Sequence, residues 1–173
     1  MSFSLTTSKL VLRDFTQADI SHYVAQCQDP KYQRFYNDED CSVSKSAELA
    51  QLFISQATEC PRTQFHLAIC CKTSEKYLGI AALRLESNRQ ASIGCGLKRC
   101  NQGKGVSEEA MAALVDFGFN QLNVSRIYAE TLSRNKAAIK LCTNLGLSIA
   151  EERIKDRYFK DQWWNTTVLH TCR

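Results

Sequence analysis

The sequence predicts a mixed α/β domain with a mostly antiparallel sheet, and three observations carry that prediction. Strand-like runs at Gln64 to Cys70, Tyr77 to Glu86 and Ala91 to Leu97 follow one another across the short, turn-rich segments KTSEK and SNRQ. Connections that short join antiparallel neighbours. Segments of helical period stand before and after this block. Finally, Ala91 to Leu132 reads strand, helix, strand, a unit whose two strands run parallel with a right-handed crossover. At 173 residues the chain fits one domain, spanning 1–173, and a domain of that length holds a core without staples.

Taken in order, Lys9 to Phe15 alternates apolar and polar residues and reads as a first strand. Thr16 is placed to cap a following helix with Ile20, Tyr23, Val24 and Cys27 on its apolar face, and Asp29-Pro30 ends it. Ser44 or Ser46 caps a second helix whose buried stripe is Leu49, Leu52 and Phe53. After the three-strand block, Gly105 to Gln121 is an amphipathic helix with Met111, Leu114, Val115 and Gly118 on one stripe. Arg126 to Leu132 is a strand, and Asn135 to Leu145 a helix that Gly146 closes. Leu147 to Ile154 and Trp163 to Thr171 are the last strands. Alternation sends one of Trp163 and Trp164 to the core and the other outward. The order β-α-α-β-β-β-α-β-α-β-β belongs to a sheet flanked by helices.

Apolar residues make up 44% and charged residues 23% of the chain, the balance of a soluble globular protein. The net charge of +4 is modest, and no face interleaves aromatic and basic residues, so a nucleic-acid partner is not expected. Lys98, Arg99 and Lys104, then Arg134, Lys136 and Lys140, form local clusters. Such clusters are either solvated faces or a positive field for a small polyanion. Nine cysteines are an odd number without a CxxC, and His22, His66 and His170 lie far from any paired-cysteine spacing. Reduced thiols in a cytoplasmic protein are expected rather than a metal site. A signal peptide or a membrane span is not expected either, since no basic segment precedes an apolar core and no apolar run is long enough.

The segment that carries chemistry is Gln102-Gly-Lys-Gly-Val-Ser-Glu-Glu-Ala110, directly after the strand Ala91 to Leu97. Two glycines at the start of a helix let several unpaired N–H groups face one point, where the helix dipole adds positive charge. A phosphate suits that place; a strand-to-helix turn without a ligand is the plainer reading of the turn alone. A Walker A loop is excluded because Lys104 is followed by Gly105. The dinucleotide GxGxxG fails because Arg99 stands where its third glycine belongs.

With its flanks, the segment resembles the GNAT superfamily of N-acetyltransferases, whose pyrophosphate motif Q/R-x-x-G-x-G/A is matched by Gln102 to Ser107 except at the last residue. ASIGCGLKRCNQGKGVSEEA is similar to the family's strand, loop and helix. Asn135 to Leu147 is similar to its N-x-x-(S/A)-I-x-L-(Y)-x-x-x-G-F segment. LVLRDFTQAD and DQWWNTTVLH resemble the RimJ/RimL-type ribosomal-protein N-terminal acetyltransferase branch. Together these stretches cover nearly the whole chain.

The resemblance implies a sheet splayed at its central strands and acetyl-CoA as cofactor. The pyrophosphate would sit on the amides around Gln102, Gly103, Lys104, Gly105, Val106 and Ser107. The pantetheine would run along Cys95, Gly96 and Leu97, and Asn135 would both cap its helix and reach the pantetheine. The implied reaction is direct acetyl transfer in a ternary complex to a primary amine, foremost a ribosomal or other protein or peptide N-terminus, by a monomer or homodimer. A small-molecule amine is the second choice of acceptor. The family's tyrosine acid is replaced by Cys142, either a proton donor or a packed thiol. Its usual glutamate is replaced by Ser92, leaving Glu86 as substitute base or as an exposed turn residue. These two departures motivate the alternative of a non-catalytic acyl-CoA-binding protein.

Overall fold

The computed structural model describes residues 2–173; Met1, which the expected domain 1–173 includes, lies outside the described residues. Eight strands form one sheet: β1 (Ser4–Thr6), β2 (Leu10–Asp14), β3 (Gln64–Cys71), β4 (Tyr77–Glu86), β5 (Gln90–Leu97), β6 (Arg126–Leu132), β7 (Ser148–Phe159) and β8 (Gln162–Cys172). Their spatial order is β1-β2-β3-β4-β5-β6-β8-β7. Every neighbouring pair is antiparallel except β5 and β6, which run parallel as the strand-helix-strand unit requires. Among the described residues four α-helices complete the fold: α1 (Ile20–Cys27), α2 (Val43–Gln56), α3 (Val106–Asn120) and α4 (Lys136–Asn144).

Each face of the sheet buries its own apolar cluster. On one side, Leu12, Leu67, Leu83 and Ile127 pack with Met111 and Leu114 of α3 and Cys142 of α4. On the other, Ala68, Cys70 and Ile80 pack with Tyr23 and Cys27 of α1 and Ala50 and Phe53 of α2. Leu114 has no exposed surface, so truncating it to alanine removes about 2–5 kcal/mol. Strand alternation therefore assigns side chains to faces, and for β5 this decides the site. Ala91, Ile93, Cys95 and Leu97 belong to the α3–α4 side, which leaves Ser92, Gly94 and Gly96 on the α1–α2 side.

Several local expectations change. Helix α2 is capped by Ser42, whose hydroxyl accepts from the Lys45 N–H at 3.3 Å, not by Ser44 or Ser46. Ser46 is fully buried one turn on, donating to the Ser42 carbonyl at 2.8 Å. With the helix starting at Val43, its buried face is Ser46, Ala50 and Phe53; Leu52 is 45% exposed because it lies on the opposite side. Thr16 precedes a short 3-10 turn, Gln17–Asp19, and both its N–H and its hydroxyl donate to Asp19 Oδ2 at 2.8 Å. The first strand, β1, was not anticipated. Strand β7 runs past Ile154 to Phe159, and Lys160 and Asp161, both at positive φ, turn the chain into β8. Trp164 is the buried tryptophan, 6% exposed, and Trp163 the outward one.

Candidate active site

Strands β5 and β6 pair at Gln90–Arg126, Ala91–Ile127 and Ser92–Tyr128, and the ladder ends there. Strand β6 remains paired with β8 as far as Leu132–Thr166, so it leaves β5 together with β8 and a wedge opens in the middle of the sheet. The Lys98 N–H donates to the Leu78 carbonyl of the β4 side at 3.0 Å. By alternation along an antiparallel pair, Ile93, Cys95 and Leu97 turn their N–H and C=O groups away from β4 and into the wedge. An extended chain of amides is the kind of molecule that satisfies such an edge.

The glycine turn lies at the open end of the wedge. After a 3-10 turn at Arg99–Asn101, Gln102 is extended, and Gly103 and Gly105 take φ of 70° and 75°. A side chain in that region costs about 1–2 kcal/mol, so glycine eases the backbone path at both positions. Nothing lies within 4 Å of where a Cβ would sit at either, and that surface is free for a ligand. Gly105 is also the residue before α3 and offers no side chain to its first N–H groups. Those of Val106 and Ser107 join the dipole in presenting positive charge. The Ser107 hydroxyl donates to Glu108 Oε2 at 3.0 Å. Glu109 faces away, accepting from Thr7, Ser8 and the Lys9 N–H at 2.5, 2.9 and 2.8 Å; these bonds, the Thr7 one foremost, hold its carboxyl below the ordinary range. It pins the β1–β2 turn to the start of α3. Across the wedge, Asn135 Oδ1 accepts from the Ala138 N–H at 3.2 Å and caps α4. That leaves its amide N–H groups to donate elsewhere.

The two faces at the fork differ in chemistry. On the α3–α4 side are thiols. Burial, then the charges of Glu108 and Cys142, push the Cys95 thiol up to about 12, and burial raises Cys142, which is 6% exposed. Cys142 is thus a packed thiol that keeps its proton at neutral pH. On the α1–α2 side are oxygens. Tyr128 donates its phenol hydrogen to Glu86 Oε1 at 2.7 Å. Burial, then this carboxylate, push the phenol up to about 12. Glu86 is exposed at the end of β4 and keeps its second oxygen free to accept.

Both residues line an open cavity of about 530 Å³ with Arg126, Glu130, Glu151 and Arg153. There Arg153 bridges Glu130 and Glu151 at 3.2 and 3.1 Å, and Arg126 donates to Gln90 and His170. Higher on β5, a Cβ on Gly96 would meet Gln26 Nε2 and the Tyr32 ring at 3.0 Å, so the lack of a side chain there lets α1 and its following loop close over the sheet.

The structure therefore brings Cys95, Leu97, the turn 102–107, Asn135 and Cys142 to one opening, and Glu86 to its fork from the other face. Tyr128 was missed in the sequence. Its only sequence signal is its place between Arg126 and Glu130 in an alternating strand, which cannot reveal that the strand is the one that splays.

The acetyltransferase (GNAT) domain family matches residues 9–148. N-acetyltransferase p20 of Bacillus licheniformis, described as uncharacterized, is 28% identical over 145 residues, covering 82% of this chain and 80% of its own. The solved structure of RimL, a ribosomal α-N-protein acetyltransferase in complex with coenzyme A, superposes with a TM-score of 0.86 at 15% identity, over 98% of both chains. Spermidine N-acetyltransferase from Vibrio cholerae, in complex with CoA and spermine, superposes at 0.80 with 16% identity over 96% of both chains. The chain belongs to the acetyltransferase (GNAT) domain family and is an acetyl-CoA-dependent N-acetyltransferase.

Proposed function

We propose that the protein acetylates the N-terminal amine of a peptide or protein, by direct attack on the thioester with both substrates bound. The observation that carries this reading is the Tyr128–Glu86 pair at the fork, on the face opposite the thiols. An amine arriving from the α1–α2 side meets a carboxylate with one free oxygen, while the wedge offers the backbone of Cys95 and Leu97 to a pantetheine. The turn Gln102 to Ser107 would hold the pyrophosphate, and the Asn135 amide would donate to the pantetheine. Acetyl-CoA supplies an activated acetyl group there. Glu86 takes the proton that an ammonium must lose before attack, and Tyr128 holds the carboxylate in position. The backbone N–H of Cys95 faces the wedge, where it can donate to a carbonyl oxygen gaining charge. As the C–N bond forms, the C–S bond breaks. The departing thiolate would take up the nitrogen's second proton through solvent, since burial makes Cys142 reluctant to give up its own.

The cavity sets Arg126 and Arg153 among Glu86, Glu130 and Glu151, a mixed lining that accommodates the amides and side chains of a peptide. The similarity to RimL favours the same acceptor class. The spermidine N-acetyltransferase likeness supports a small amine as second reading. Incubation with acetyl-CoA and an unblocked hexapeptide, its N-blocked lysine-containing counterpart, or spermidine separates them. Thiol release with only the unblocked peptide is expected; release with only spermidine overturns the proposal.

A further inference from the structure

A second cavity, of about 440 Å³, lies on the same face of the sheet, lined by Arg34, Phe35, Arg134, Lys160 and Trp164 among others. It is assembled from three separate parts of the chain: the loop after α1, the β6–α4 turn and the β7–β8 turn. Alternation along β8 ties it to the first cavity. Val168, which lines that cavity, and Trp164 lie on one face of the strand with Thr166 between them. The two cavities thus open on the same face of β8, with the buried Thr166 and the Arg157–Glu130 ion pair between them.

Their charges differ. In the second cavity three cations converge and, among the described residues, one of them has a carboxylate beside it: Lys160 Nζ is 3.2 Å from Asp38 Oδ1. Among the described residues Arg34 has no carboxylate partner, and its guanidinium lies over the Phe35 ring, 4.9 Å from the centroid. Arg134 lies over Trp164 at 5.3 Å and bonds only the neutral Gln162 amide, at 3.2 Å. Stacking holds both planar groups while leaving N–H donors unspent, the state in which arginine takes a carboxylate through two parallel bonds.

Position narrows the ligand further. From Tyr128 the strand runs four residues to Leu132, about 13 Å at roughly 3.3 Å per residue, and Arg134 follows two residues beyond it. A small amino acid is too short to put its amine at the fork and its carboxylate here, whereas an extended peptide spans the distance. We infer that this cavity is a subsite for an acidic side chain within the first few residues of the acceptor, so that the enzyme selects acidic N-terminal segments. The inference rests on the peptide reading above. Near the fork Glu86 meets the acceptor's amine; farther along, Arg34 and Arg134 meet its carboxylate, and the polarity orients the peptide.

The test uses the full chain, acetyl-CoA and three sets of hexapeptides with free N-termini, identical except for one Asp, Asn or Lys placed in turn at the second to fifth residue. An Arg34→Gln/Arg134→Gln double variant, with both sites exposed, is run beside the wild type. In at least one register, Asp is expected to raise kcat/KM about tenfold over Asn and more over Lys. The double variant is expected to lose that preference, with the KM for acetyl-CoA unchanged. Peptides acetylated without regard to charge overturn the inference and leave the peptide reading intact. A rise in the KM for acetyl-CoA in the variant also overturns it, since the cations would then serve the cofactor. Turnover of spermidine but of no peptide overturns both.

Discussion

Tyr128 and Glu86 meet at 2.7 Å beside the last rung of the β5–β6 ladder, where Tyr128 pairs with Ser92. Carboxylate, phenol and sheet opening thus coincide although their residues come from three strands. If Glu86 removes the acceptor's proton, Glu86→Gln lowers kcat about a hundredfold and leaves the KM for acetyl-CoA unchanged. The loss should shrink as pH rises toward the amine's own pKa, because solvent then supplies the neutral amine. A variant as active as wild type at neutral pH rules out this role.

Cys142 should matter less. Burial raises its pKa, so protonating a departing thiolate from it runs uphill. Cys142→Ala is expected to keep kcat within about tenfold of wild type, where a strong general acid would contribute about a hundredfold or more. A larger loss, measured with a protein of unchanged melting temperature, assigns the acid to this thiol after all.

The cysteines also separate by reactivity. Cys71 lies half-exposed at the end of β3, where Ser74, then Thr73, whose Oγ1 is 3.4 Å from Sγ, bring its pKa down to about 6. Near pH 7 it is mostly thiolate, the nucleophilic form. A brief iodoacetamide pulse at that pH, mapped by mass spectrometry, should label Cys71 well before Cys95 and Cys142. Equal labelling of the three would contradict the assignment.

His66 makes the fold acid-sensitive. It stacks on Phe53 at 4.2 Å and pairs with Gln56 Oε1 at 2.9 Å. Burial, then Arg84 and Arg62, lower its pKa to about 3. The folded state resists a proton that the unfolded state accepts near pH 6.5. The stability it contributes is complete above about pH 6.5 and is lost as pH falls toward 3, at up to about 1.4 kcal/mol per unit. Urea titrations from pH 7 to 4 should show a smaller pH slope for His66→Gln than for wild type.

Much of this was legible because it is local. Asn135, Gly146 and the glycines at 103 and 105 are turn and cap residues whose conformational demands follow from their own chemistry. Each stands where its motif suggested. The α2 cap was misplaced because Ser42, Ser44 and Ser46 offer the same hydroxyl, and only tertiary packing of Phe53 selects the phase of the helix. Strand β7 was cut short because its turn uses Lys160-Asp161, which carries no Asn-Gly signal. The Tyr128–Glu86 pair was hidden for a different reason. It depends on where a ladder stops, a property of two strands separated by a helix, and on which face each residue takes.

The glycine turn allows a direct check on the cofactor site. Gly105→Ala keeps the space but not the φ of 75°. It should destabilise the protein by about 1–2 kcal/mol and raise the KM for acetyl-CoA, with the acceptor's KM little changed. An unaltered KM for acetyl-CoA would show that the α3 N-terminus does not hold the phosphates.

The most direct measurement is a crystal structure with CoA bound. The account predicts the pyrophosphate on the amides of residues 103–107, and the pantetheine in the wedge beside Cys95 and Leu97, with its thiol at the Ser92–Tyr128 end. CoA phosphates bound away from residues 103–107, or a pantetheine outside the opening between β5 and β6, would contradict it.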